Sequence, residues 1–450
     1  MSTGTEAARR ARILPFLRAL ARHHRSPIDA FEEAGARAGG ELVRLNMGPF
    51  QPYLITHPDH VQHVLRGNQP NYVREGMFWD PLAPLIGKGI LSDGPDWAES
   101  RRIVQPLFTA RQLEGLGERM AAIIAELVDG TLTPGRPFDV AAAMSAIVHA
   151  TTVRLFFGES ISGADIDRLA PAYDTGVTAR AIRLVLPSVP QRCPMPGDRA
   201  FGRAVATIDE VVYPRIEHAR QREGSGDGAG DVVSALCRAP YADKGDRRVR
   251  DDMVAIHGAA TETAATALTW VWPVLDAHPE IAAKVYEEIT RVVGDGPVTV
   301  GHLPALTYLR MFLSELLRLY PPGWILPRKA LADDVIDGVA IEAGATVVLS
   351  PFLTQRLPQV WERPLEFDPE RFALGNERRR SRYAYFPFAA GPHSCVGPHL
   401  FMMEAQLLLA GILRSYRPVL HTPGPVAPRL ASTLRPTAGL TMTLVPAARS

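Results

Sequence analysis

Cysteine is scarce in this chain: 450 residues hold three, Cys193, Cys237 and Cys395. The count is odd and no two form a Cys-x-x-Cys pair, which argues against a disulfide framework and fits a reducing cytoplasm. Excess charge of either sign is also missing, at a formal net charge of +1, so nothing in the composition draws the chain to nucleic acid. An unbroken apolar run of the ~18 residues that cross a bilayer is absent too. Near the N-terminus, Arg9, Arg10, Arg12, Arg18 and Arg22 interleave with Ile13, Leu14, Phe16, Leu17 and Leu20. That pattern predicts an amphipathic helix within residues 1–25 and excludes a signal-peptide core or spanning anchor, although transit peptides share its Arg-rich, acid-poor character. The remainder is ordinary for a large globular enzyme, with 46% hydrophobic and 22% charged residues.

One of the three cysteines has a distinctive frame, Phe388-Ala-Ala-Gly391-Pro-His393-Ser-Cys395-Val-Gly397. A free thiol titrates near pH 8.5, so a metal-ligating cysteine needs surroundings that favour the anion. Met402, Met403, Ala405, Leu407, Leu408 and Leu409 predict a helix beginning just after Gly397, which sets Cys395 by N-terminal amides and a positive dipole end. Gly391 and Gly397 permit a tight loop with N–H groups turned toward sulfur, and Phe388 can shield the sulfur from water. The ordinary alternative is a buried structural thiol, which does not require this frame.

On these residues the chain resembles the cytochrome P450 family of haem-thiolate monooxygenases, whose signature runs Phe-x-x-Gly-x-Arg/His-x-Cys-x-Gly. The resemblance implies a mainly α fold with small β-sheets, one continuous haem domain over residues 1–450, and haem b between a long central helix and the helix after the cysteine loop. Cys395 becomes the iron ligand and His393 a partner of a haem propionate. Glu404 fits the family pattern that follows, whereas Phe401 stands where the family carries a small residue.

The family's central helix carries Ala/Gly-Gly-x-Asp/Glu-Thr-Thr/Ser, and Ala259-Ala260-Thr261-Glu262-Thr263-Ala264 falls on it. Oxygen activation needs protons delivered to the outer oxygen so that water can leave. Thr263 can hold an ordered water and Glu262 can link it to bulk protons. Taken alone, the pair reads equally well as a helical threonine bonded to its own backbone and a solvated glutamate. Ala260 replaces the usual glycine and Ala264 the second hydroxyl.

Glu315-Leu-Leu-Arg318 places opposite charges at i,i+3, worth about 0.2–0.5 kcal/mol if exposed. The resemblance implies that Glu315, Arg318 and Arg371 instead form a buried triad under the cysteine loop. It also assigns Trp97, Arg101 and Arg328 to the haem propionates. Arg378, Arg379, Arg380, Arg382 and Arg102 fall in segments the family places on the thiolate side, where they would steer a ferredoxin or flavodoxin-type donor. No flavin or reductase domain is evident, so an NAD(P)H reductase is expected as a separate protein. By family position Phe78, Trp79, Ile86, Ile182, Ala259, Trp324, Ile325 and Leu434 line a pocket for a medium-sized hydrophobic substrate.

Along the chain, residues 41–65 predict short strands around Gly48-Pro49, and Phe78 to Ile86 a turn-rich stretch. Long helices follow from Trp97 past residue 220, broken at Pro134-Gly135 and between Pro187 and Pro196. The glycine-rich stretch 224–230 reads as a flexible connector because it lacks the Gly-Lys-Ser/Thr ending of a phosphate loop. The expectation is therefore a monomeric cytoplasmic monooxygenase without a transmembrane anchor, using O2 and two supplied electrons in secondary metabolism. A peroxide-driven or isomerising haem-thiolate enzyme and a haem sensor without turnover are the alternatives; intact Glu262 and Thr263 argue against both.

Overall fold

Pro15 splits the N-terminal stretch that the charge pattern predicts as one helix. Arg12–Leu14 is a strand, β1, and helix α1 (Phe16–Arg22) begins only after the proline. The strand forms because it pairs in parallel with β2 (Val43–Leu45), Arg12 opposite Val43, and such long-range pairing overrides local propensity. The computed structural model describes residues 8–23, 26–158, 161–185, 189–190, 192–224, 231–238, 245–376, 380–422, 424–437 and 439–447. The first seven residues of the amphipathic stretch, Leu186, the connector at 225–230, and Arg378 and Arg379 of the cationic run lie outside them.

The further strands are β3 (Tyr53–Ile55), β4 (Tyr72–Val73), β5 (Phe138–Asp139), β6 (Leu326–Ala330), β7 (Asp334–Ile336), β8 (Val339–Ile341), β9 (Thr346–Leu349), β10 (Tyr416–Leu420), β11 (Pro428–Leu430), β12 (Leu434–Pro436) and β13 (Thr441–Pro446). The helices continue with α2 (Pro27–Ala38), α3 (Pro58–Gln62), α4 (Ala83–Ile86), α5 (Gly94–Val104), α6 (Ala110–Thr131), α7 (Val140–Phe157), α8 (Gly163–Thr178) and α9 (Ala181–Val185). After them come α10 (Asp198–Gly224), α11 (Val232–Arg238), α12 (Asp246–Ala277), α13 (Pro279–Val293), α14 (Thr307–Leu319), α15 (Pro351–Thr354) and α16 (Pro398–Leu413). Contacts divide the chain into two units: Met1–Gly76 with Met311–Cys395 and Ala427–Arg435, and Met77–Arg310 with Val396–Val426 and Pro436–Ser450.

Unit one is built on a six-stranded sheet in the order β1-β2-β3-β9-β6-β4. The strands expected over 41–65 are present as β2 and β3, but they stop at Ile55. Pro58 then occupies the first turn of α3, His57 Nδ1 accepts from the Asp59 N–H at 3.3 Å, and a π turn over His63–Gly67 follows. Val61, Val64 and Leu65 have helical spacing and enter the same core as Tyr53, Ile55, Val347 and Leu349.

Unit two is helical, with α7 packed against α12 and α6, α10 against α8, and α16 against α6. The helical run expected between Pro134-Gly135 and Pro187 is interrupted twice more, between α8 and α9 and at Gly158 (φ +81°), where an added Cβ would meet the Asp231 carboxylate. Ser162 then caps α8 by accepting from the Asp165 N–H at 3.1 Å. Among the described residues α7 is the one helix of at least 18 residues apolar enough to cross a membrane, and 72% of it is buried as core. Ser145, His149 and Arg154 interrupt it, so no unbroken apolar run marks it in the sequence.

Candidate active site

Unit one carries the cysteine loop. Ser394 N–H donates to the Gly391 carbonyl at 3.1 Å, and Cys395 N–H to the Phe388 carbonyl at 2.8 Å, which brings the two ends of the frame together. Gly391 has φ +73° and a Cβ there would run into the Leu65 carbonyl, so the turn requires glycine. The loop leaves Cys395 exposed, in contrast to the buried Cys237. His393 is buried, and its Nδ1 accepts from the Arg74 guanidinium. An accepting Nδ1 makes Nε2 the imidazole donor.

Arg74 is a residue that sequence reasoning missed. It follows β4, which pairs antiparallel with β6 as Val73 opposite Lys329. Arg328 precedes Lys329 on β6 as Arg74 follows Val73, and it is buried with Nη1 donating to the Pro327 carbonyl at 2.7 Å. Two guanidinium groups and an imidazole thus gather in unit one, which suits them to carboxylates.

Glu315, Arg318 and Arg371 meet in the same unit. Arg318 donates to both Glu315 oxygens, Nε to Oε2 at 2.6 Å and Nη2 to Oε1 at 2.8 Å, and Arg371 Nε lies 3.3 Å from Oε1. Glu315 and Arg318 are fully buried. Gln355 joins them to the loop: its Nε2 donates to the Leu317 and Arg318 carbonyls, and its Oε1 accepts from Phe386 N–H at 2.9 Å. Among the residues assigned to substrate, Trp324 and Ile325 pack against a core cluster containing Phe31 and Phe352, and Leu434 is fully buried within it. Trp324 Nε1 donates to the Ala431 carbonyl at 2.9 Å.

Unit two carries Trp97 and Arg101 one turn apart on α5, both half-buried, with Arg101 Nε donating to Gln105 at 2.8 Å. Phe78 and Trp79 lie in the turn before α4, Ile86 ends that helix, and Ile182 sits in α9; all four are half-buried. In α12 every residue from 248 to 257 and from 264 to 274 is buried, whereas 258–263 is open to differing degrees, with Ala259 and Thr263 exposed. Thr263 Oγ1 donates to the Ala259 carbonyl at 2.7 Å, leaving its oxygen as an acceptor on the open side. The acid-alcohol pair therefore occupies an open interval between two buried stretches of the helix.

Helix α16 starts at Pro398, as the apolar spacing predicts, and Phe401 is part of its buried side. Burial pushes the Glu404 carboxyl up to about 8, so it is neutral in the folded protein. The unfolded chain ionises it above its ordinary 4.5, and its contribution to stability falls as pH rises from there to about 8. Glu404→Gln is expected to flatten the fall of the thermal midpoint across that interval; an unchanged slope would exclude the buried neutral acid.

Each unit's share suits haem in its donor chemistry: an exposed thiol and carboxylate-binding donors in unit one, an indole, a guanidinium and an open helical interval in unit two. Comparison with known proteins points the same way. The Cytochrome P450 family model matches residues 13–442. A cyclooctat-9-en-7-ol 5-monooxygenase of Streptomyces melanosporofaciens is 32% identical over 398 residues, covering 85% of this chain and 84% of the relative. A pentalenene oxygenase of Streptomyces avermitilis is 29% identical over 405 residues, 88% of each chain. The crystal structure of the cytochrome P450DA heme domain superposes with a TM-score of 0.86 at 23% identity, covering 98% of both chains. By the family match over nearly its full length, the chain belongs to the cytochrome P450 family and is a haem-dependent monooxygenase.

Proposed function

We propose that this monooxygenase binds haem b through Cys395 and oxidises a medium-sized cyclic alkene, or an alcohol derived from one, in secondary metabolism. The open interval of α12 that bears Glu262 and Thr263 carries the reading, because a haem sensor has no use for an acid-alcohol pair placed there. Bound haem supplies the electron-transfer and dioxygen chemistry, with the thiolate raising electron density at iron. Phe388 would keep water from the sulfur; propionate would be held in unit one by Arg74, Arg328 and His393, and in unit two by Trp97 and Arg101. Thr263 Oγ1 accepts a hydrogen bond from an ordered water, and Glu262 passes protons to that water from solvent. In unit two Phe78, Trp79, Ile86, Ile182 and Ala259 are the substrate-side residues, and in unit one Trp324, Ile325 and Leu434 are.

The electrons come from a ferredoxin or flavodoxin-type protein and its NAD(P)H reductase, attracted by Arg102 of unit two and by Arg380 and Arg382 of unit one. The names of the Streptomyces relatives, an oxygenase of pentalenene and a monooxygenase of cyclooctat-9-en-7-ol, support the substrate class. The test is turnover of pentalenene with a ferredoxin, its reductase and NADPH under 18O2. Label in an oxidised product supports the reading, and peroxide-driven turnover alone replaces it with a peroxygenase. Thr263→Ala is expected to keep NADPH consumption within about twofold while product per NADPH falls about tenfold and hydrogen peroxide rises in its place. Tight coupling in that variant would remove Thr263 from proton delivery.

A further inference from the structure

The first turns of α12 hold the chain ahead of α5 by its backbone. Arg248 Nη1 donates to the Lys88 carbonyl at 2.7 Å, Asp251 Oδ2 accepts from Lys88 N–H at 3.0 Å, and Asp252 Oδ1 accepts from Ile90 N–H at 2.6 Å. Asp252 Oδ2 also takes the Ser100 hydroxyl of α5 at 2.7 Å. The approach is so close that a Cβ on Gly87 would run into Asp251 and one on Gly89 into Asp252. Two glycines at these positions are therefore required by contact with the helix.

Arg250 extends this clamp to a further element. Its guanidinium is fully buried, with Nη1 donating to the Leu85 carbonyl at 2.6 Å and to Asp251 Oδ1 at 3.1 Å. Its Nε donates to Asp209 Oδ1 on α10 at 2.6 Å, where the carboxylate is 30% exposed. One planar cation is thereby shared among the end of α4, α10 and α12. Moving α10 away removes the charge-assisted bond that fixes the plane of a buried guanidinium, and a guanidinium free to reorient holds the Leu85 carbonyl less firmly.

We propose that Arg250 is a positioning residue: through the Asp209–Arg250–Leu85 bridge it makes the order of residues 78–90 depend on α10, and so sets how fast bulky molecules reach the haem. The second half rests on the substrate-side assignment of Phe78, Trp79 and Ile86 made above. Asp209 is the member to change, since it is partly exposed and lies outside the haem-binding and proton-delivery sets.

The experiment compares Asp209→Ala with wild-type ferric holoprotein, and uses Asp209→Glu as the conservative variant. Hydrogen exchange at the Lys88 and Ile90 amides is expected to rise about tenfold in Asp209→Ala and to return toward wild type in Asp209→Glu. Association and dissociation rates of 4-phenylimidazole should each rise about tenfold, with cyanide rates within about twofold and haem content unchanged. Unchanged amide exchange overturns the bridge. Faster exchange with unaltered 4-phenylimidazole rates overturns the gating role and the substrate-side assignment with it. Equal acceleration of cyanide and 4-phenylimidazole means general loosening and also overturns the proposal. Because amide exchange is read without any ligand, a failure of the substrate assignment is distinguished from a failure of the bridge.

Discussion

Cys395→Ser is expected to abolish the red-shifted Soret band of the dithionite-reduced, CO-bound protein and to bring monooxygenase turnover to background. A serine hydroxyl does not ionise in the range where a thiol does, so it cannot replace the anionic sulfur that raises electron density at iron. The loop should survive the change. The bond from residue 395 to Phe388 is main chain to main chain, and the turn at Gly391 is set by its φ of +73° and the nearby Leu65 carbonyl. Far-UV circular dichroism should therefore match wild type, which separates lost ligation from lost folding. Cys193→Ser and Cys237→Ala serve as controls and should keep the band, since the first thiol is exposed and the second buried, and neither has the flanking frame. A thiolate-type band in Cys395→Ser would mean that another cysteine ligates iron.

The cysteine frame was legible because its residues are contiguous: Phe388, Gly391 and Cys395 meet through bonds that span a single loop. Glu262 and Thr263 were legible as a motif, but the open interval at 258–263 was not, because exposure along a helix rich in alanine depends on what packs around it. Arg74 was hidden for a different reason. Its partner His393 and the strand β6 that pairs with β4 come from the far part of the chain, and β4 is too short to show a strand pattern of its own. The same long-range dependence explains why only Phe16–Arg22 of the N-terminal stretch is helical, whereas Arg12–Leu14 becomes a strand once β2 is available as a parallel partner. Asp251 and Asp252 were hidden likewise, since both are buried acceptors for backbone amides of a segment 162–163 residues earlier.

Glu315→Ala is expected to lower stability by about 3–5 kcal/mol, because it leaves the buried guanidinium groups of Arg318 and Arg371 without their carboxylate. Against a typical total of about 5–15 kcal/mol, that loss leaves little folded protein at growth temperature. The same two residues, exposed on an isolated helix, would contribute only about 0.2–0.5 kcal/mol, so burial decides the size of the effect. Glu315→Gln keeps one acceptor oxygen and the shape, and should fall between wild type and Glu315→Ala. The damage should also reach the cysteine loop, since Gln355 accepts from Arg318 through its carbonyl at 2.7 Å and from Phe386 N–H through its side chain at 2.9 Å. In Glu315→Gln the thiolate-type CO band should accordingly decay at a lower urea concentration than helical circular dichroism does. A loss below about 1 kcal/mol for Glu315→Ala would carry a different meaning. Arg318 also donates to the carbonyls of Gln355, Pro364 and Glu366, and Arg371 to those of Glu362 and Arg363. Those five carbonyls would then be sufficient to hold both guanidinium groups, and the loop would rest on main-chain acceptors instead of on the carboxylate.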